Sequence, residues 1–280
     1  MADSETWTCP TCKHAVATSY CPSCGERIYL PSELSVRGLF DQFVRALTKV
    51  DGRLIRSVWG LIGRPGELTV AYLEGRRKAY VGPVQLFLLA NALFFGVESM
   101  TGGTVFTTPL DSHLHNQPWS PVAEALVSNR LAATHTTLEV YTPVFDRAVA
   151  VNAPALIMLM ALSFVITPSV VFYRRRPLVA HALFSLHFYA FLLLLLCAAT
   201  AVPPVDRWFG GAGFASEGLD HTIAIALLAV CGLYLYFATG TVYGANGARR
   251  VLQVVVLTVA VAILALGYRF VLLLITLNST

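Results

Sequence analysis

The sequence predicts an all-α integral membrane protein: about five transmembrane helices, with a small four-cysteine zinc ribbon and amphipathic helices at a cytoplasmic N-terminus. Three observations predict it. Only 13% of the 280 residues are charged and 56% are hydrophobic, where soluble domains carry about 25% charged residues. Several apolar runs of roughly 20 residues are each long enough for a ~30 Å hydrocarbon core. Four of the six cysteines stand near the N-terminus as two C-x2-C pairs.

The first unit expected is a ribbon over 1–30. Cys9-Pro10-Thr11-Cys12 and Cys21-Pro22-Ser23-Cys24-Gly25 can each make a tight turn whose amides point at the sulfurs. Together they offer a tetrahedral thiolate set suited to Zn²⁺ at ~2.3 Å per bond. Two disulfides, or a redox C-x-x-C, compete with that reading. Disulfides need an oxidising compartment, and the redox motif needs only one pair. A closed four-thiolate site has no open position, so the zinc would be structural. His14 then belongs to solvent rather than to the metal. A segment of about 30 residues builds no core, so metal binding supplies its folding energy. Lys13 and Arg27 against Asp3, Glu5 and Glu26 make no phosphate-binding surface. No nucleic acid is expected, and a cytoplasmic protein partner or capping of the cytoplasmic face is.

Residues 31–80 read as cytoplasmic or interfacial amphipathic helices. Ser35 is an N-cap for Val36, Leu39, Phe40, Phe43, Val44, Leu47 and Val50, spaced i, i+3, i+4, i+7. Asp51 caps a second run, Leu54, Ile55, Val58, Trp59, Leu61 and Ile62, which Gly63-Arg64-Pro65-Gly66 ends. A third helix over 67–74 has Gly75 at its C′ position. Such stripes rimmed by Arg and Lys suit the headgroup boundary; a cluster packed on the ribbon or on span ends fits them equally. In either case each cation near the surface gains about 1 kcal/mol from anionic lipid. Arg76-Arg77-Lys78, just before the first apolar run, form an anionic-lipid and topology anchor, because cytoplasmic flanks keep their cations.

The bundle occupies 81–280, with spans at 83–100, 152–173, 178–201, 222–243 and 251–277 and external loops at 101–151 and 202–221. Eleven of the 20 Lys and Arg residues lie in the first 80 positions. Arg174-Arg175-Arg176 and Arg249-Arg250 fall in connectors on the same side, so the charge rule sets the N-terminus inside and the C-terminus outside. An acidic N-terminus without an apolar h-region argues against a secretory signal, so the first span acts as the insertion signal.

Intramembrane polar residues are functional candidates by default. Gln85, Asn91 and Glu98 lie in or near span 1 and Arg269 in span 5; Glu98 and Arg269 could pair or snorkel. His181 and His187 sit about 120° apart around span 3, so they cannot chelate one metal alone. His113-Leu114-His115, in the first external loop, would share a face on a strand. Cys197 and Cys231 behave as small hydrophobes. Pro168 costs the Phe164 carbonyl its donor and should kink span 2. Gly240 and Gly244 form a small-xxx-small pair suited to helix packing. No phosphate loop, nucleophile elbow or His-Glu-x-x-His is present, so no enzyme is expected.

The order C-x2-C, C-x2-C-Gly25, Leu61-x-x-Arg64-Pro65-Gly66 and Tyr72-x-x-Gly75-x-Arg77-x-x-Tyr80 runs straight into a span. Later come Phe172-Tyr173-Arg174-Arg175 and His181-x-Leu183-Phe184-x-Leu186-His187-Phe188-x-Ala190-Phe191. Over 9–100 and 150–276 this resembles a family of bacterial inner-membrane proteins filed as domain of unknown function 3667. The resemblance implies this architecture and a bacterial inner membrane, and it transfers no activity. The family's span-3 motif often carries a further His where Tyr189 stands here, which leaves a His-cluster metal site short of a ligand. Two functions follow as expectations. One is a non-enzymatic adaptor or sensor that docks a cytoplasmic partner through its zinc ribbon. The alternative is a transporter, or a lipid- or small-solute-handling protein, using Glu98, Arg269, His181 and His187. Chemistry at the two span-3 histidines is a third and weaker reading.

Overall fold

The computed structural model describes residues 7–26, 52–101, 105–173, 175–200, 202, 208 and 217–280, with backbone alone for 217–221. The amphipathic helix expected over 36–50, the caps at Ser35 and Asp51, Arg174 and most of the second external loop lie outside the described residues.

Two short strands, β1 (Trp7–Thr8) and β2 (Ala15–Val16), pair antiparallel with Trp7 opposite Val16 and Thr8 opposite Ala15. Helices α1 (Gly52–Gly63) and α2 (Glu67–Leu73) follow. Then come α3 (Pro83–Thr101), α4 (Leu110–His115), α5 (Ser120–Thr134), α6 (Leu138–Phe164), α7 (Ile166–Val171), α8 (Leu178–Ala199), α9 (Glu217–Tyr243) and α10 (Gly247–Ser279). Five segments are long and apolar enough to cross a membrane: α3, α6 with α7, α8, residues Thr222–Tyr243 of α9, and α10. The fold is therefore an all-α multi-pass membrane fold with a four-cysteine cluster near its N-terminus. Contacts divide it into two compact units. One comprises Met1–Ala90, Pro168–Leu192 and Val230–Val255; the other Asn91–Thr167, Leu193–Ala229 and Val256–Thr280.

The first unit is organised around the turn between α1 and α2. Gly66 adopts a left-handed φ of 87°. A Cβ there would come within 2.9 Å of the Ala238 carbonyl oxygen and of Thr241. The Arg64-Pro65-Gly66 turn thus presses backbone against α9, and only glycine meets both demands. Behind it α2 is sunk into the unit, with Leu68, Thr69 and Ala71 buried. The Thr69 hydroxyl bonds His187 Nδ1 at 2.8 Å. Ser57 accepts from the Val81 N–H at 2.8 Å and donates to the Arg53 carbonyl, tying α1 to the chain entering α3. One stripe of α1 stays uncovered: Ile55, Trp59 and Ile62 are exposed. One face of these helices packs within the unit and the other is apolar and exposed. Gly75, with φ 83°, closes α2 as expected.

The C-terminal end of α9 is closed by arginines. Arg175 donates to the Tyr243 carbonyl and Arg176 to the Val242 carbonyl, each at 3.0 Å. Arg250 donates to the Tyr236 carbonyl and lies over the Tyr236 ring. Its guanidinium covers Gly240, and Gly244 takes a left-handed φ of 62° after the last turn. The small-xxx-small pair therefore receives an arginine and ends a helix, where close helix packing was expected. Cations at a helix C-terminus satisfy orphan carbonyls and oppose the dipole.

In the second unit the helical span begins at Leu138, well before position 152. Glu139, Pro143, Asp146 and Arg147 lower the hydropathy there. Yet Tyr141, Phe145, Val149 and Ala153 form a buried i, i+4 stripe that carries the helix through. The stretch expected as loop 101–151 also holds α4 and α5, the latter containing the predicted helical piece at 122–132. The span is interrupted at Val165, three residues before Pro168, where the lost donor predicts a break.

Replacing Gly66 by Ala should destabilise the protein by about 1–3 kcal/mol from left-handed strain alone, with more from the clash on α9. Gly244→Ala meets open space and should cost only the strain. Thermal unfolding of both variants in detergent checks the difference.

Candidate metal centre and intramembrane polar groups

The two cysteine pairs are built alike. Cys9 N–H donates to the His14 carbonyl and Cys21 N–H to the Glu26 carbonyl, at 2.8 and 2.7 Å. Lys13 N–H returns to the Cys9 carbonyl and Gly25 N–H to that of Cys21. The residue after each second cysteine is left-handed, Lys13 at φ 62° and Gly25 at φ 67°. The second knuckle meets this demand with glycine and the first with a strained lysine. Thr11 donates to the buried Glu26 carboxylate at 2.7 Å, joining one knuckle to the other.

The four sulfurs lie within 4.8 Å of one another. Cys9 and Cys24 stand 3.4 Å apart and Cys12 and Cys21 3.3 Å apart. Four thiolates ~2.3 Å from a central ion would sit about 3.8 Å apart at tetrahedral corners, so the set fits a metal ion. All six cysteines are free thiols. Burial pushes the Cys21 thiol up, but the Cys24 and Ser23 amides and the Cys12 thiol outweigh it and bring it to about 6. The Glu26 amide draws Cys24 down, but burial and the three neighbouring thiols push it up to about 12. One thiolate therefore forms readily and makes the next costly, the situation a bound cation relieves.

The ribbon rests on the segment that joins α2 to α3. Pro10 lies against Gly75, where a Cβ would come within 3.2 Å. Lys78 donates to the Cys24 carbonyl. Arg76 pairs with Glu74 at 2.8 Å and with Glu67 at 3.6 Å, and the Glu74 bond raises its pKa further. Arg77 donates to the Tyr72 carbonyl and covers the Tyr72 ring at 4.6 Å. Each of the three cations thus has a partner within the protein.

The predicted intramembrane residues fall into separate groups. His187 is bonded to Thr69, and His181 to the Tyr243 hydroxyl at 2.9 Å with the rings stacked. The two imidazoles share no ligand atom or partner. In the second unit Glu98 accepts from the Phe106 N–H at 3.0 Å, and Arg269 donates to the Val105 carbonyl at 3.3 Å. No ion pair joins Glu98 to Arg269 among the described residues. Tyr268 completes the clasp by donating to the Phe106 carbonyl, with its ring edge-on to Phe106. These side chains satisfy an irregular backbone stretch that hydrocarbon could not solvate. Asn91 likewise donates to the Pro154 carbonyl at 3.0 Å.

His113 and His115 lie on helix α4, so two positions apart they face different ways. His115 bonds Asp111 at 3.0 Å. His113 is fully buried against Phe145 and accepts from the Trp119 indole N–H at 3.3 Å. Burial, and then the Arg269 charge, lower its pKa to about 4. Tyr243, Tyr268, Thr69 and Asp146, whose carboxylate accepts from the Leu110 N–H, were not singled out from the sequence. Aromatic hydroxyls and a carboxylate in a presumed loop carry no spacing that marks them.

Fold and site together define a helical multi-pass membrane protein with a four-thiol cluster able to hold a metal ion. Residues 51–95 match the model of a family described as "Protein of unknown function (DUF3667)", the family that the resemblance named. The match covers α1, α2, the Arg76–Lys78 segment and the first part of α3. Neither curated proteins nor solved structures gave a match.

Cys9→Ser or Cys21→Ser should abolish one-to-one metal binding in the full chain, measured by elemental analysis. Affinity should fall as pH falls, because bound metal displaces thiol protons; chelator competition from pH 8 to 6 reads that slope. His113 binds its proton only near pH 4 when folded but near 6.5 when unfolded. Acidification from 6.5 to 4 should therefore lower stability, by at most about 3 kcal/mol. His113→Gln should flatten that dependence in thermal melts.

Proposed function

We propose that this chain is a non-enzymatic membrane adaptor or sensor whose structural zinc ribbon docks a cytoplasmic partner. The carrying observation is the closed set of four thiols seated against the Gly75–Lys78 segment. Four thiolates select a soft, tetrahedral ion such as Zn²⁺ and leave no coordination position for substrate. The excess of cations in the first 80 residues and in the two short connectors supports an N-in, C-out orientation in a bacterial inner membrane. Against a transport role stands the use already made of the intramembrane polar groups: Glu98 and Arg269 hold backbone, and the two histidines bond Thr69 and Tyr243.

The ribbon segment 17–20 is exposed, Tyr20 included. A photo-crosslinking residue at Tyr20 should capture a cytoplasmic protein in cells, and Cys21→Ser in the same chain should abolish the capture. Recovery of only lipid adducts, or capture unaffected by the cysteine change, would refute the docking role.

A further inference from the structure

An open groove of about 610 Å³ runs along α9 in the first unit, within the ~300–1,000 Å³ of sites that hold a small ligand. Its walls are Ile62, Phe191, Val230, Leu233, Tyr234 and Phe237, and its remaining lining includes Arg64, Glu67 and Thr241. The polar and apolar parts are separated along the helix. Thr241 lies against the Gly66 turn that carries Arg64 and Glu67, whereas Val230 is three helical turns away. At 1.5 Å per residue the distance from 241 to 230 is ~16 Å, close to the ~15 Å of one leaflet of a hydrocarbon core. Phe191 stacks on Tyr234 at 3.8 Å and makes a flat apolar wall. Leu233 and Phe237 are exposed on the other side.

The polar end carries one cation, Arg64, and one carboxylate, Glu67. Glu67 faces Arg76 at 3.6 Å, an arginine that also pairs with Glu74 at 2.8 Å. Arg64 is exposed and has no ion pair among the described residues. The bare stripe of α1, Ile55 and Trp59, leads along the helix to Ile62 at the groove. An amphipathic helix with that face places its charges at the headgroups and its apolar side chains among acyl chains.

We propose that this groove binds one anionic phospholipid, with an acyl chain along Phe191, Leu233 and Phe237 and the headgroup phosphate at Arg64. The site is independent of any docking by the ribbon. Its length suits a chain of one leaflet, and Arg64, which has no ion pair among the described residues, draws the phosphate and favours an anionic headgroup.

The test uses the purified full chain in neutral detergent. It is titrated with phosphatidylglycerol or with phosphatidylcholine of the same chains, and bound lipid is counted by native mass spectrometry. The wild type should retain one phosphatidylglycerol in preference to phosphatidylcholine. Arg64→Gln, a surface change, should lower phosphatidylglycerol affinity about fivefold and leave phosphatidylcholine unchanged. Leu233→Trp should fill the groove and release both. Equal retention of the two lipids by the wild type would overturn the proposal, as would retention unaffected by Leu233→Trp. So would a dimer mass that Leu233→Trp abolishes without any lipid having been bound, since the groove would then be an interface between copies of the chain.

Discussion

A backbone N–H or C=O in hydrocarbon has no water to turn to, and several polar side chains in or beside the spans of this protein answer that constraint. Where the chain leaves helical geometry, a side chain meets the exposed group. Glu98, Tyr268 and Arg269 hold Val105 and Phe106; Asp146 receives the first N–H of α4; Arg175 and Arg176 take carbonyls in the last turn of α9. A polar residue in a span thus has a structural reason before a functional one is needed. Each satisfied group avoids a desolvation penalty of a few kcal/mol.

The same logic changes what the basic clusters mean. Positive flanks set topology through their charge, but here individual arginines also have geometric work. Arg175 and Arg176 close a helix end, and Arg76, Arg77 and Lys78 each engage a carboxylate, a carbonyl or a ring. Charge and geometry do not compete, since a guanidinium bonded to a carbonyl remains a cation. Arg64 differs: it is exposed at a turn whose backbone presses on α9, which is why the lipid proposal rests on it.

The ribbon shows how a minimal unit holds its shape. Among the described residues its apolar cluster is Cys9, Val16 and Cys21, with Trp7, Cys12 and Cys24 against it. That is too little to offset the conformational entropy of its residues, so the shape depends on the sulfurs and on paired turns. The Lys13 and Gly25 equivalence shows that both knuckles are under the same backbone demand.

Much of this was legible in the residues themselves. Apolar run lengths located the five spans, C-x2-C spacing located the four ligand candidates, and Gly66 and Gly75 marked helix ends. These are local properties, set by periodicity, ligand spacing and allowed φ, and a single chain reports them directly. The early start of the second span was not legible, because Glu139, Asp146 and Arg147 lower the hydropathy around the buried Tyr141, Phe145, Val149 and Ala153. Nor was the fate of the polar groups. Glu98 and Arg269 could pair or snorkel and the two span-3 histidines offered no chelate by themselves; the fold gives each a separate partner, Phe106, Val105, Tyr243 and Thr69. Sequence by itself determined the class of fold and the thiol set. Only tertiary packing decided which polar groups were already satisfied and where a groove beside Arg64 remained, because those depend on partners that sequence spacing does not mark, in several cases more than a hundred positions away.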